Sequence, residues 1–290
     1  MDSSTELLLE SHWHQLCSAQ RNYATDGYLR IQGLLTSLGS RKLAERVKKL
    51  SDRIIRHAQD QAITGYDPDY RTNGNLARCA WTRSVVFCHN LWRDDEHIRA
   101  LACDPRLAEF VGRLIGVPAL RLWHDASICK PQWGRPTVWH LDGPYWSFTP
   151  PGGATLWIAL DDANLSNGCL VLLPGTHREA DSREFTFSGE VDDLFDAYPE
   201  WRNREPVAVP CRAGDAILIH PMVAHASQAN MTSRDRLAYS IAYMPDNSIF
   251  NGKRSSMSSE HFNSLKIGDV IRNGSHNPLL WVDGTNAVLV

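Results

Sequence analysis

From Pro118 onward the chain breaks into short apolar runs separated by Gly, Pro, Asn and Asp: LRLWHDASICK, TVWHL, ATLWIAL, CLVLLPG, PVAVP, DAILIH and RLAYSIAYM. Runs of this kind, rich in β-branched and aromatic residues and bounded by turn formers, read as strands, because such side chains fit a pleated, half-buried surface. They do not alternate with helical stretches, as a parallel α/β sheet would require. That pattern sets aside a doubly wound nucleotide-binding fold and implies a sandwich or barrel. The expected class is mainly β with flanking α-helices, built on a jelly-roll core of the double-stranded β-helix, cupin-like type.

Ahead of the strands, SRKLAERVKKLSDRIIRHAQ spaces Leu43, Val47, Leu50 and Ile54 three or four apart, which predicts a helix with one buried stripe. A second helix is read from Asp104 and Pro105, an N-cap and a first-turn proline, through Leu107, Phe110, Val111 and Leu114 to a stop at Gly116. Residues 62–90 read as a long, partly irregular connection, and 178–204 as an acidic, aromatic insertion whose VDDLFDAY forms a short helix over the barrel mouth. The expected organisation is a single domain over 1–290: a helical and loop region over 1–117, the jelly-roll core over 118–245 and a C-terminal extension over 246–290.

Charge narrows the function. A net charge of -3, with no basic patch, offers no general pull toward nucleic acid or an anionic membrane, so a small-molecule partner is expected. The first residues carry acids and no basic region ahead of an apolar stretch, and no run approaches a membrane span. The expectation is a cytoplasmic protein. Seven scattered cysteines without a CxxC pair read as reduced, mostly buried thiols.

In TVWHLDG, His140 and Asp142 are separated by one residue at a strand end, so their side chains share a face. A third, distant imidazole would complete a two-histidine, one-carboxylate metal site with open positions. An HxD pair by itself is common and often no more than a surface hydrogen bond. Two histidines compete for the third place, His220 and His225 in GDAILIHPMVAHASQANMTSRDRLAYS, and spacing does not choose between them. His225 keeps the more informative company: Ser227, Asn230 and then Arg236, which opens an apolar strand. An arginine pointing into a barrel needs an anion for its planar fork. A salt bridge within the chain is the plain alternative. Arg234, in the polar turn TSRD, reads as solvated.

Several of these segments together resemble the phytanoyl-CoA dioxygenase family of Fe(II)/2-oxoglutarate-dependent oxygenases, and the resemblance covers nearly the whole chain. YATDGYLRIQGLL, HDASICKP, WHLDGPYW, ATLWIALDDANLSNGCLVLLPGTHR and HPMVAHASQANMTSRDR carry it. In that family the histidine followed at two residues by Ser and at eleven by Arg is the ligand, which selects His225 over His220. The resemblance implies His140, Asp142 and His225 as ligands of Fe(II), with 2-oxoglutarate and O2 as cosubstrates. It implies that Arg236 and Ser227 bind the distal carboxylate of 2-oxoglutarate and that Trp157 lines its pocket, although a tryptophan in an apolar strand is more often core. Lys130 aligns with a lysine of the same strand, either facing substrate or a solvated strand-end charge. The reaction implied is hydroxylation, or a related desaturation or ring-forming oxidation, with release of succinate and CO2.

Around the motif, Trp133, Trp139, Tyr145, Trp146 and Phe148 suggest an aromatic rim. Trp139, Tyr145 and Trp146 are therefore expected, with Lys130, to touch a small organic substrate. An acyl-CoA substrate would want clustered basic residues, for which Arg121, Lys130 and Arg135 are the candidates. A non-catalytic jelly-roll binding protein and a zinc enzyme of cupin type are the rival classes; retention of all three ligands with Arg236 speaks against the first, and the second leaves the Arg236–Ser227 anchor without purpose.

Overall fold

The computed structural model describes residues 7–60, 79–81, 84–181, 183 and 192–284. In chain order its first elements are α1 (Glu10–Trp13), α2 (Leu16–Asp26), β1 (Tyr28–Ile31), α3 (Ser37–Asp60), β2 (Cys79–Trp81), β3 (Val86–His89), α4 (Glu96–Ala102), α5 (Pro105–Ile115) and β4 (Ala119–Lys130). There follow β5 (Thr137–His140), β6 (Phe148–Thr149), β7 (Ala154–Ala159), β8 (Leu170–Leu172), α6 (Asp193–Ala197), β9 (Val207–Val209), β10 (Ala216–Ile219), β11 (His225–Ser227), β12 (Arg236–Pro245), β13 (Ile249–Phe250), α7 (Ser259–Asn263) and β14 (Leu279–Val282).

Every apolar run read from the sequence becomes a strand, and together they make a jelly-roll. The larger sheet has the order β1-β10-β7-β12-β4-β3-β2, with β14 also pairing β4. The smaller has the order β5-β11-β8-β9. All pairings are antiparallel, and the longest joins β12 to β4, from Arg236 opposite Lys130 to Pro245 opposite Leu120. The large sheet reaches beyond 118–245: β1, β2 and β3 come from the N-terminal region and β14 from the C-terminal one. These short strands carry little pattern of their own: β3 and β14 form on open backbone groups of the long β4, and β2 and β1 add to β3 and β10 in turn.

The two anticipated helices are present. The Asp104 side chain accepts from the amides of Arg106 and Leu107, Pro105 sits in the first turn, and Gly116 ends α5 at φ 75°, a conformation that spares its missing Cβ. In α3, Leu43, Val47 and Leu50 are buried, and the helix lies on β12, β3 and β4. Four further helices, α1, α2, α4 and α7, were not expected. α4 is capped by Asp95, whose side chain accepts from the amides of His97 and Ile98. Of the anticipated irregular stretch, 62–78 and 82–83 lie outside the described residues, and the rest supplies β2 and β3.

VDDLFDAY does form a helix, α6, but away from the mouth. Leu194 is buried with Leu141, Tyr198 and Trp201, and Phe195 packs on Trp139 at 5.9 Å between ring centroids. Because Trp139 and His140 are successive residues of β5 they face opposite sides, so α6 covers the back of the smaller sheet. The six cysteines with described side chains are all free. No helix among the described residues is long and apolar enough to cross a membrane.

Candidate active site

The smaller sheet presents the two candidate ligand histidines as a cross-strand pair, with His225 of β11 directly opposite His140 of β5. Their ring centroids lie 4.2 Å apart. Asp142 follows in the turn after β5 and points between them, its Oδ1 3.7 Å from His140 Nε2 and 3.6 Å from His225 Nε2. The three ligand atoms lie within 4.8 Å of one another, the one such group of His, Cys, Asp and Glu found among the described residues.

Each histidine is oriented by its own strand. His140 Nδ1 is 2.8 Å from the Val138 carbonyl and His225 Nδ1 is 3.0 Å from the Val223 carbonyl. A carbonyl can only accept, so both rings carry their proton on Nδ1 and turn an unprotonated Nε2 toward Asp142. Burial, with the His225 ring beside it, pushes the His140 pKa down to about 4, which keeps the ring a neutral donor of its lone pair. The Thr155 hydroxyl donates to Asp142 Oδ2 at 2.9 Å and leaves Oδ1 facing the imidazoles. Two neutral imidazoles and a carboxylate converging in this way fit a divalent first-row metal with open coordination positions.

The same cavity, about 1200 Å³, holds an unsatisfied cation. Arg236 opens β12, is 2% exposed and forms no ion pair among the described residues. Its Nε and Nη1 are buried without hydrogen-bond partners. Its guanidinium carbon lies 5.2 Å from the centroid of the Trp157 ring. Burial lowers its pKa only to about 10, so the group stays charged at neutral pH. An unpartnered buried charge is costly, and what a guanidinium fork lacks here is a carboxylate. Ser227, on β11, and Trp157, on β7, both line the cavity with it.

The structure distributes the remaining expected residues unevenly. Tyr145 and Trp146 line the cavity, the first exposed at its mouth and the second buried. Trp139 does not, because strand alternation turns it to α6. Lys130 is a correction as well: it is fully buried, and its Nζ donates to the carbonyls of Ser84 (3.2 Å) and Arg135 (2.9 Å) and to Thr137 Oγ1 (3.4 Å). It is neither a solvated charge nor a substrate contact. Arg121 is tied to Asp246 at 2.6 Å, so Arg121, Lys130 and Arg135 form no anion cradle. His220 is the strand-end histidine left aside, packed on His177 at 4.9 Å. Sequence reasoning missed the cavity residues from beyond β12, among them Lys253, Arg254, Ser256, His261 and His276. Only the serine- and basic-rich makeup of 253–258 hinted at them.

Comparison with known proteins agrees with this geometry. The family model for phytanoyl-CoA dioxygenase matches residues 23–238. The mouse protein named phytanoyl-CoA dioxygenase domain-containing protein 1 is 32% identical over 261 residues, covering 78% of this chain and 89% of its own length. The rat protein of the same name is 26% identical over 263 residues with the same coverage. Among solved structures, the non-heme alpha ketoglutarate dependent carbocyclase SnoK from nogalamycin biosynthesis superposes with a TM-score of 0.71 at 24% identity, over 91% of this chain and 95% of its own. The epimerase SnoN, in complex with Fe3+, alpha ketoglutarate and nogalamycin RO, gives 0.67 at 22% identity over 92% and 99%. At that identity the two structures speak for the shared fold.

Proposed function

The chain belongs to the phytanoyl-CoA dioxygenase family, and from that premise we propose that it oxidises a C–H bond of a small organic metabolite, with Fe(II) held by His140, Asp142 and His225. It is an Fe(II)/2-oxoglutarate-dependent oxygenase. When bound, the iron and 2-oxoglutarate together supply the oxidising chemistry, in which O2 is consumed, succinate and CO2 leave and the substrate is oxidised.

The observation that carries the reading is Arg236, a buried guanidinium without an internal partner in the cavity that holds the metal-binding group. Arg236 and Ser227 bind the distal carboxylate of 2-oxoglutarate, and the Trp157 ring beneath the guanidinium keeps its fork in place. A zinc lyase would bury this charge to no purpose. His140, Asp142 and His225 hold the metal from one side, leaving the opposite side to cosubstrate and oxygen. Tyr145 and Trp146 line the part of the cavity that receives substrate. The walls exclude water and position the reacting bond, which is where the protein's share of the rate arises.

The reading is tested without knowing the substrate. Adding Fe(II) and then 2-oxoglutarate to the protein under anaerobic conditions should give a weak visible charge-transfer band, and admitting air should release succinate. If neither occurs, or if Asp142→Ala binds iron as the native chain does, the assignment fails.

A further inference from the structure

His225 and the loop that carries Asp142 rest on one short turn, built by residues that take no part in binding the metal. Residues 220–223, HPMV, form that turn between β10 and β11. Its own hydrogen bonds fix its shape: the Val223 amide donates to the His220 carbonyl at 3.0 Å, and the Met222 amide donates to His220 Nδ1 at 3.1 Å. The imidazole thus plays the part that an Asn or Asp side chain plays in other turns, bonding the backbone two residues on. Met222 is buried, so its amide needs this acceptor.

The carbonyls of Pro221 and Val223 carry that shape to the metal-binding group. The Pro221 carbonyl accepts at 2.8 Å from the amide of Gly143, the residue directly after Asp142. The Val223 carbonyl lies 3.0 Å from His225 Nδ1 and accepts its proton. The Met222 side chain adds a third contact: a Cβ at Gly143 would lie 2.7 Å from its sulfur, and it is buried with Leu141, between His140 and Asp142 in the chain. One turn therefore sets the ring orientation of His225 and the seat of Asp142.

The other side of the turn is knit to the N-terminal region. The His220 amide donates to the Gly27 carbonyl at 2.8 Å, at the end of α2, and the Gly175 amide to the Asp26 carbonyl at 2.9 Å. Beside Gly175, the Thr176 hydroxyl accepts from the Ala224 amide at 2.9 Å. The His220 ring packs on His177 at 4.9 Å and on Tyr23 at 6.1 Å between centroids. Burial, with His177 beside it, lowers its pKa to about 4, so the ring is neutral at pH 7 and Nδ1 accepts. His220 therefore does two separable things: its ring packs α2 onto the barrel, and one nitrogen shapes the turn.

We propose that His220 is a positioning residue for the metal centre: by accepting from the Met222 amide, its Nδ1 holds the 220–223 turn in the shape that aims His225 and seats Asp142. His220 is not among the residues that line the cavity, and it acts through the Pro221 and Val223 carbonyls. The proposal rests on the reading of His140, Asp142 and His225 as metal ligands, and adds to it a residue that never meets the metal.

Two variants of the full chain separate the roles. His220→Phe keeps a packed ring and removes the acceptor, whereas His220→Asn keeps an acceptor in the place of Nδ1 and removes the ring. Anaerobic titration with Co(II), a coloured probe of the iron position, reads affinity and ligand arrangement together, and urea melts of the metal-free chains show that each variant is folded. His220→Phe should lose about tenfold or more in Co(II) affinity, the scale on which partners of metal ligands act, and its visible bands should shift. His220→Asn should bind as the native chain does, with the native spectrum. Equal affinities in the two variants, whether native or lowered, overturn the proposal. So does the larger loss in His220→Asn, which would leave packing as the only role. Failure of His220→Phe to fold, alone or together with His220→Asn, would assign the residue to folding as a whole and overturns it too. Failure of the oxygenase reading looks different: the native chain then releases no succinate from Fe(II) and 2-oxoglutarate in air, while Co(II) still ranks the two variants.

Discussion

Two histidine pairs in this barrel look alike and do different work. His140 and His225 approach to 4.2 Å between ring centroids, His177 and His220 to 4.9 Å. In the first pair both Nδ1 atoms donate to the carbonyl two residues back in the chain, so both Nε2 atoms are left facing Asp142. In the second, His220 Nδ1 accepts from the Met222 amide at 3.1 Å, which leaves the proton on Nε2 and no lone pair for a metal there. His177 Nε2 lies 3.2 Å from the Ala24 carbonyl, and its ring packs so closely on Gly27 that a side chain at that position would collide with it. The second pair clasps the end of α2 to the barrel. Closeness of imidazoles does not make a metal site; the partner of the other ring nitrogen decides it, together with a carboxylate in between.

That contrast can be broken or sharpened by experiment. Asp142→Ala should lower iron affinity by more than about a hundredfold, since loss of an outer partner alone costs roughly 10–100-fold. His220→Asn, with an amide oxygen in place of Nδ1, should leave iron content intact, and equal metal loss in both variants, measured by atomic absorption, would erase the distinction between the pairs. Arg236→Gln should weaken 2-oxoglutarate by about 2–3 kcal/mol, or roughly 30–150-fold. Metal should be retained, and titrating the visible band with 2-oxoglutarate reads both quantities. Thr155→Val, which frees Asp142 Oδ2, should cost roughly tenfold in iron affinity. An affinity equal to that of the native chain would show that the hydroxyl does not orient the carboxylate.

The smallest effect concerns pH. Burial, with His177 beside it, lowers the His220 pKa from 6.5 to about 4. The unfolded chain takes up that proton near the ordinary value, so the stability at stake is whole above about pH 6.5 and is lost as pH falls toward 4. Urea melts across this window should show a shallower acid slope in His220→Asn, by on the order of 1–2 kcal/mol once partial exposure is allowed for. Identical slopes would mean that the clasp does not resist protonation.

Much of this was readable in advance because it is local. The Asp104–Pro105 start and Gly116 stop of α5 are chemical signals that act over one turn. α2 escaped notice because its segment LCSAQRNYATD buries only Ala19 and Tyr23, too few residues to make a stripe. His140 and Asp142 do share a face, but through the turn that follows β5 and not through strand alternation; alternation within β5 turns Trp139 away from the rim that Tyr145, Trp146 and Phe148 form. Lys130 could not be read: its burial depends on carbonyls at Ser84 and Arg135, loops that come together only in the fold. The cavity residues of 253–258 were hidden for a similar reason, since they reach the cavity only when Phe250 pairs with Phe148 about a hundred residues away.

Arg236 and Lys130 face each other across β12 and β4, and burial, with the repulsion of the guanidinium added to it, brings the Lys130 pKa down to about 7. A chain without its diacid keeps this repulsion within its longest strand pairing. Binding the anion relieves it, and a ligand that binds only the folded state raises stability with the logarithm of its concentration. The protein's stability would then follow the supply of 2-oxoglutarate and fall as the diacid grows scarce.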